Sequence, residues 1–415
     1  MKPENRTLLA LLRSFMSGEK LVLEEQVPES VSWEEVYQLS RIHSVLPMAY
    51  ETAYRLSSFQ ALPEDFRSRW KKQTIATAMD QMQRTAAFLA LYRKFNEAGL
   101  TVLVVKGILC RALYPKPDHR TSNDEDLFVR KQDFEACHRL LSDAGFVADK
   151  KGNLLEEPVV SYFDPKSGLH LELHQQLFSE NSQAYGNFNA LFANSIEKHI
   201  VQTVEGVKIA AMNHTDHMLF LICHSLKHFL HSGFGIRQVC DMVLYANTYG
   251  VEICWDLVMG ALKQIHGDVF WLNLVDIGER YLGFSRVRAH FTVQADKTVL
   301  DSGALLADIF DAGVFGKSSE SRLHSSNITL HAYADGGESQ SGAVLKTVFP
   351  SRKNLAGRYP VLNRLPVLLP VMWIHRLACY AMETLPKKGR SNSAAESVDI
   401  GRRRIELMKK YRIMK

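Results

Sequence analysis

What the chain has little of narrows the field first. No run of about 18 uninterrupted apolar residues occurs, the minimum for a spanning helix, so no transmembrane segment is expected. The opening residues Met1-Lys2-Pro3-Glu4-Asn5-Arg6 lack an apolar core with a small-residue cleavage site, so no export signal is expected. The six cysteines, Cys110, Cys137, Cys223, Cys240, Cys254 and Cys379, are scattered with no Cys-x-x-Cys pair. That spacing builds neither a disulfide framework nor a zinc ribbon, and it fits reduced, mostly buried thiols in a cytoplasmic protein. Net charge is small as well. A formal +5 over 415 residues gives composition alone no case for nucleic-acid binding. With 46% apolar and 23% charged residues the chain has an ordinary globular balance, and its length allows two or three domains at roughly 150 residues each.

What is present is concentrated in residues 101–129. Val102 to Val105 read as a buried strand, because β-branched residues dominate and Lys106-Gly107 stops the run. Ile108, Leu109, Ala112 and Leu113 then fall on one face of a short helix that Pro115 and Pro117 end. Asp124-Glu125-Asp126 leads into Leu127-Phe128-Val129, a second strand. Alternate side chains share a face, so Asp124 and Asp126 point one way and Glu125 the other. Neighbouring carboxylates repel, and a divalent cation is the usual relief. Residues 159–174 read as a hairpin turning at Asp164-Pro165-Lys166-Ser167-Gly168. In its second strand Leu169, Leu171 and Leu173 share one face; His170, Glu172 and His174 share the other, which offers Glu172 as a third acid.

This order resembles the nucleotidyltransferase (polymerase β-like) palm. More closely, Lys106-Gly107, Leu113-Tyr114-Pro115, Arg120, Asp124-x-Asp126-Leu127, Leu140-Leu141 followed by Gly145-Phe146, and Glu172-Leu173-His174 resemble a family of uncharacterised bacterial nucleotidyltransferases. The specific likeness covers residues 100–180, with a softer one through 245 and near 349–380. Glu125 and Phe128 depart from the family pattern, and Lys106-Gly107 stands where the wider superfamily has Gly-Ser. The resemblance implies transfer of NMP from an NTP to an acceptor hydroxyl on a small molecule, protein or RNA. Asp124 and Asp126 would hold one Mg²⁺ (or Mn²⁺) and share a second with Glu172. Glu172 would assist deprotonation of the acceptor. Lys106 and Arg120 would sit on the triphosphate, and Gly107 would let the phosphates approach the backbone. Lys106 could instead pair with Asp124, and Arg120 could anchor its loop. His174 would orient a carboxylate or stack near the base, or be structural.

The rest of the chain reads as mainly helical. Ser32 caps a helix carrying Val36, Leu39 and Ile42. His43 follows as a capping or packing residue, although the family resemblance includes a similar histidine that would contact nucleotide. Residues 64–98 form the longest helical pattern and residues 133–145 a shorter one. A short strand pair is expected at 198–204 and 207–210, among helices. On a helix from Asp216 to Leu230, His217, His224 and His228 recur at spacings of seven and four. Zinc is one reading, but the His-Glu-x-x-His arrangement is missing. The resemblance includes a His-x-x-x-His helix followed by an Arg and an Asp, matching Arg237 and Asp241. It favours His224, Lys227, His228 and Arg237 lining a cleft opposite the palm; the alternative is internal hydrogen bonding, with Asp241 paired to Arg237.

The expected fold class is therefore α+β: a small mixed β-sheet palm flanked by N-terminal and C-terminal helical regions. The expected divisions are a helical region (1–98), the palm (99–180), a helical domain closing the cleft (181–312), a flexible loop or linker (313–347) and a C-terminal helical segment with a basic tail (348–415). From Pro386 onward ten Lys and Arg face three Asp and Glu, with a basic helix expected at Arg402 to Met414. That tail is either solvated or a patch for RNA or an anionic membrane. Three functions remain in view: an active nucleotidyltransferase, a catalytically inactive nucleotide-binding module of the same fold, and a metallohydrolase built on the histidine helix.

Overall fold

The computed structural model describes residues 1–18, 25, 27–150, 152–180, 182, 184–294, 296, 298, 300–313, 352–355, 359, 361–375 and 394–414. Among the described residues the chain opens with helices α1 (Pro3–Ser17), α2 (Trp33–Ile42), α3 (Leu46–Ala53), α4 (Ser57–Gln60) and α5 (Glu64–Glu97). Ser32 caps α2 by accepting from the Glu35 amide, as the sequence suggests. Trp33, Tyr37, Phe59, Phe66 and Trp70 meet edge to face and lock α2 and α4 onto the start of α5.

The palm follows in the expected order: β1 (Leu103–Val104), α6 (Ile108–Arg111), β2 (Asp124–Phe128), α7 (Phe134–Asp143), β3 (Val147–Ala148), β4 (Val159–Phe163) and β5 (His170–His174). The expected strand pair forms between helical segments of the chain, as β6 (Ile200–Val204) and β7 (Val207–Ala211). It extends the palm, giving a seven-stranded sheet in the order β3-β4-β5-β2-β1-β7-β6. The two-residue β1 would otherwise leave an open edge, and β7 closes it in parallel at Val104↔Ala211. The sheet thus takes strands from beyond residue 180.

Helices α5 and α7 cover one face of the sheet, over Val104, Leu127, Leu171 and Leu173. The opposite face, with Leu103 and Val105, packs into a core shared with α8 (His214–Leu230) and α9 (Ile236–Tyr249). Then come α10 (Trp255–Gln264), α11 (Asp268–Ile277), a π turn at Gly278–Leu282, and α12 (Ser302–Ala312). The last described helix, Ala394–Lys410, starts earlier and stops sooner than the basic helix read from the sequence. Its Ile405 and Met408, with Tyr411 just past its end, enter the same core as α1 and α8, so this part of the tail is not a solvated arm. From residue 314 the expected loop lies outside the described residues, as do the tail residues 386–393. Among the described residues no helix is long and apolar enough to cross a membrane.

Candidate active site

Period-two alternation puts Asp124 and Asp126 on the face of β2 opposite Leu127, the face that meets α8 and α9. Asp126 stands level with Glu172 on the neighbouring parallel strand β5. Two cations of the chain answer that charge. Lys106 Nζ lies 2.9 Å from Asp126 Oδ2, and His174 Nε2 lies 3.2 Å from Asp126 Oδ1 and 3.3 Å from Glu172 Oε2. Burial acts to raise the pKa of Asp126, but Lys106 and His174 outweigh it and hold this carboxyl far below its usual range. Burial also opposes a charged His174, yet the two carboxylates lift it to about 9. Lys106 is held above its usual value in the same way: burial works against it, and Asp126 and Asp124 prevail. Asp124 responds oppositely. Lys106 lowers it, while burial, Asp126 and Glu172 together leave it raised.

Among the described residues, Asp126, Glu172 and His174 each bring a ligand atom within 4.8 Å of the others, and Asp124 is outside that group. A third close carboxylate would add repulsion, whereas the imidazolium of His174 removes it. Lys106 pairs with Asp126 and not with Asp124. The donor set fits a divalent cation. Two carboxylates and an imidazole are ligands that Mg²⁺ or Mn²⁺ accept, and the chain's own positive groups stand where an ion's charge would serve.

Glu125, turned away from these acids, enters a buried network on the far side of β2. It pairs with Arg111, whose guanidinium also reaches Ser122 Oγ at 2.7 Å and Thr85 Oγ1 at 3.1 Å. Glu125 Oε2 accepts from the Ile108 amide at 2.8 Å and so caps the start of α6. Gly107 has φ +55, and the Glu125 carboxylate fills the space where its side chain would begin. The side of Gly107 where a side chain would begin is thus closed by the chain's own carboxylate, while Gly107 also lines the small cavity that Arg237 reaches. Arg111 and Ser122 carry no signal of this network in the sequence, where Glu125 stands out only by facing away from the acids and departing from the family pattern.

On the helical side, Lys106 Nζ lies 3.3 Å from His224 Nε2, which lies 3.2 Å from His228 Nε2. Burial first, then the neighbouring Lys106 and Lys227 ammoniums, push both histidines far below their usual pKa, so they are neutral. Lys227 Nζ sits 6.0 Å and 5.9 Å from the ring centres of Phe178 and Tyr185, and burial together with Lys106 lowers its pKa. Among the described residues His224 and His228 gain no third ligand of the kind a zinc site needs. His217 is fully buried away from them, its ring 4.7 Å from that of Tyr245.

Arg120 is committed elsewhere than expected. It is buried, donates to both carboxylate oxygens of Asp241 at 3.1 Å and 2.7 Å, and the Tyr114 hydroxyl donates to the same carboxylate at 2.8 Å. Asp241 therefore pairs with Arg120, not Arg237. Arg237 donates to the Thr121 carbonyl and reaches a small cavity of ≈ 30 Å³, beside Lys106, Asp124, Ser122 and Gln238. His43 is a packing residue: its Nδ1 accepts from the Ile236 amide at 3.3 Å, at the start of α9, and its ring meets Phe310 edge on.

A family model described as uncharacterised nucleotidyltransferase matches residues 29–282, more than half of the chain. No curated protein and no solved structure matches it.

Proposed function

Because the chain belongs to the uncharacterised nucleotidyltransferase family, we propose that it moves NMP from an NTP to an acceptor hydroxyl across the acid face of β2 and β5. The observation that carries this reading is the pairing of Asp126 with Glu172 at one level of two parallel strands, with Asp124 two residues away on the same face. Asp124 and Asp126 would hold one divalent ion and share a second with Glu172; when bound, Mg²⁺ or Mn²⁺ neutralises the triphosphate and acidifies the acceptor hydroxyl.

The chain's own groups do the rest. Glu172, the most exposed of the paired groups at 38%, takes the acceptor's proton. The acceptor oxygen then bonds to the α-phosphorus, the bond from that phosphorus to the α–β bridging oxygen breaks, and pyrophosphate leaves with the electron pair. Lys106, released from Asp126, follows the charge onto the triphosphate. His174 holds the Asp126 carboxylate in orientation. Lys227 and the neutral His224 and His228 line the opposite wall.

The test is incubation with each α-labelled NTP, Mg²⁺ or Mn²⁺ and a cell extract. A nucleotide-labelled product is expected with the wild type and not with Asp126→Asn. A second reading, nucleotide binding without turnover, is favoured by one observation: Lys106 and His174 already neutralise Asp126. Under it NTP raises the melting temperature while no extract yields a labelled product.

A further inference from the structure

The cavity beside the acids has an unbalanced charge. Arg237, in the first turn of α9, lines it with Lys106, Ser122 and Gln238. Among the described residues no carboxylate lies within 4.0 Å of the Arg237 guanidinium, whose one hydrogen bond there goes to the Thr121 carbonyl. Its Nε is buried without a partner, as are Arg120 Nη1 and Gln238 Oε1. Two carboxylates face the same space. Asp241 is neutralised by two bonds from Arg120 and one from Tyr114, and Asp124 belongs to the cation site. Burial, with Arg120 nearby, lowers the Arg237 pKa only to about 10, which leaves it charged at neutral pH.

A guanidinium whose Nε is buried without a partner, and whose neighbouring carboxylates are engaged elsewhere, is unfavourable until an anion arrives. At ≈ 30 Å³ the cavity admits phosphoryl oxygens in place of water, but neither a base nor a sugar. The unpartnered Gln238 oxygen is no obstacle, since the amide can turn over and present its NH₂. We infer that Arg237, with Arg120 Nη1 and Lys106, forms an anion hole for the terminal phosphoryl group of the nucleotide, so that the site selects triphosphates over diphosphates. The selection rests on the nucleotidyl-transfer reading; the anion binding does not.

The experiment separates the two. Binding of tripolyphosphate, pyrophosphate and inorganic phosphate is measured by calorimetry in EDTA for wild type, Arg237→Gln, Arg237→Lys and Asp126→Asn. Tripolyphosphate is expected to bind the wild type without a divalent ion and more tightly than inorganic phosphate. Binding should fall at least tenfold in Arg237→Gln, fall less in Arg237→Lys, and be as tight or tighter in Asp126→Asn, where Lys106 is released. Arg237→Lys carries the test if the glutamine variant does not fold, because an ammonium cannot fill the bidentate role and must still weaken binding. Equal binding by wild type and a folded Arg237 variant overturns the inference, as does preference for inorganic phosphate, which would make the hole a free-phosphate site. If tripolyphosphate binding depends on Arg237 and no NTP yields a product, the transfer reading falls and the anion hole stands. If products form, the wild-type preference for NTP over NDP should shrink in Arg237→Gln; an unchanged preference refutes the selection.

Discussion

The Glu125 carboxylate occupies the space above the α-carbon of Gly107 where a side chain would begin, and the two residues are locked together by that fit. Gly107→Ala should therefore destabilise the fold in two ways. The backbone at φ +55 costs an alanine about 1–2 kcal/mol. Displacing Glu125 from Arg111 and the Ile108 amide adds roughly 1–3 kcal/mol for buried groups left unsatisfied. Urea unfolding checks the sum. In an Arg111→Met/Glu125→Ala background the penalty should shrink to the backbone part; an unchanged penalty would show that the carboxylate is not the obstacle.

Much of this face was legible in the sequence because alternation in a strand has a period of two. That period alone placed Asp124 and Asp126 together, turned Glu125 away, and set Glu172 beside His174. What it could not say is which groups pair across the fold. Arg120 and Asp241 are 121 residues apart, and nothing local favours that pairing over Asp241 with Arg237 four residues before it. Likewise the strand pair that became β6 and β7 was expected, but its attachment to β1 depends on an edge that exists only once the sheet is built. That His174 orients a carboxylate was among the readings its place beside Glu172 offered; that it bridges two of them was not, because the charge that holds it comes from two strands at once.

The Arg120–Asp241 pair makes the second prediction. Both groups are buried, so removing one leaves the other charged and unpaired. Asp241→Ala should cost about 3–5 kcal/mol of stability. The double variant Arg120→Met/Asp241→Leu should recover much of that loss. A double-mutant cycle by chemical denaturation measures the coupling, and additive losses would mean the two groups do not act as a pair.

Acid sensitivity gives the third. Burial, followed by the neighbouring His214, lowers His217 to about 3, against 6.5 for an ordinary histidine. Between those values the unfolded chain binds a proton that the folded chain does not, so stability must fall as pH drops from 6.5 towards 3. His224 and His228 act in the same direction. His174 acts the other way: raised to about 9, its contribution is full below 6.5 and is lost as pH rises through 9. His217→Phe should flatten the loss between pH 7 and pH 5 in melting experiments while changing little at pH 8. A parallel shift at every pH would mean the ring matters only for packing.

Occupation of the acid site gives the fourth. At pH 7.5 His174 is protonated between Asp126 and Glu172, and a divalent cation entering there must expel that proton. Calorimetric titration of Mn²⁺ in buffers of different ionisation heat should register close to one proton released, with apparent affinity rising up to about pH 9. Asp126→Asn should abolish the binding. Release near zero would mean that the ion settles at Asp124 without displacing His174.

The last prediction concerns the C-terminal helix, which lies beyond the residues that the family model matches. Arg404 is buried there and donates to the carbonyls of His231 (2.6 Å) and Phe229, at the end of α8, with Asp308 Oδ1 3.7 Å away. These carbonyls lie where a helix runs out of amide partners, and a cation is the group that best satisfies them. Tyr411 and Lys410 anchor the same helix to Asp301 just before α12. Arg404→Met keeps the apolar stem against Phe229 but removes the donors, and should cost about 1.5–3 kcal/mol. Hydrogen exchange should then speed up in the last turns of α8 while β2 and β5 stay protected. Uniform acceleration across the sheet would mean instead that the C-terminal helix holds the whole core and not this one helix end.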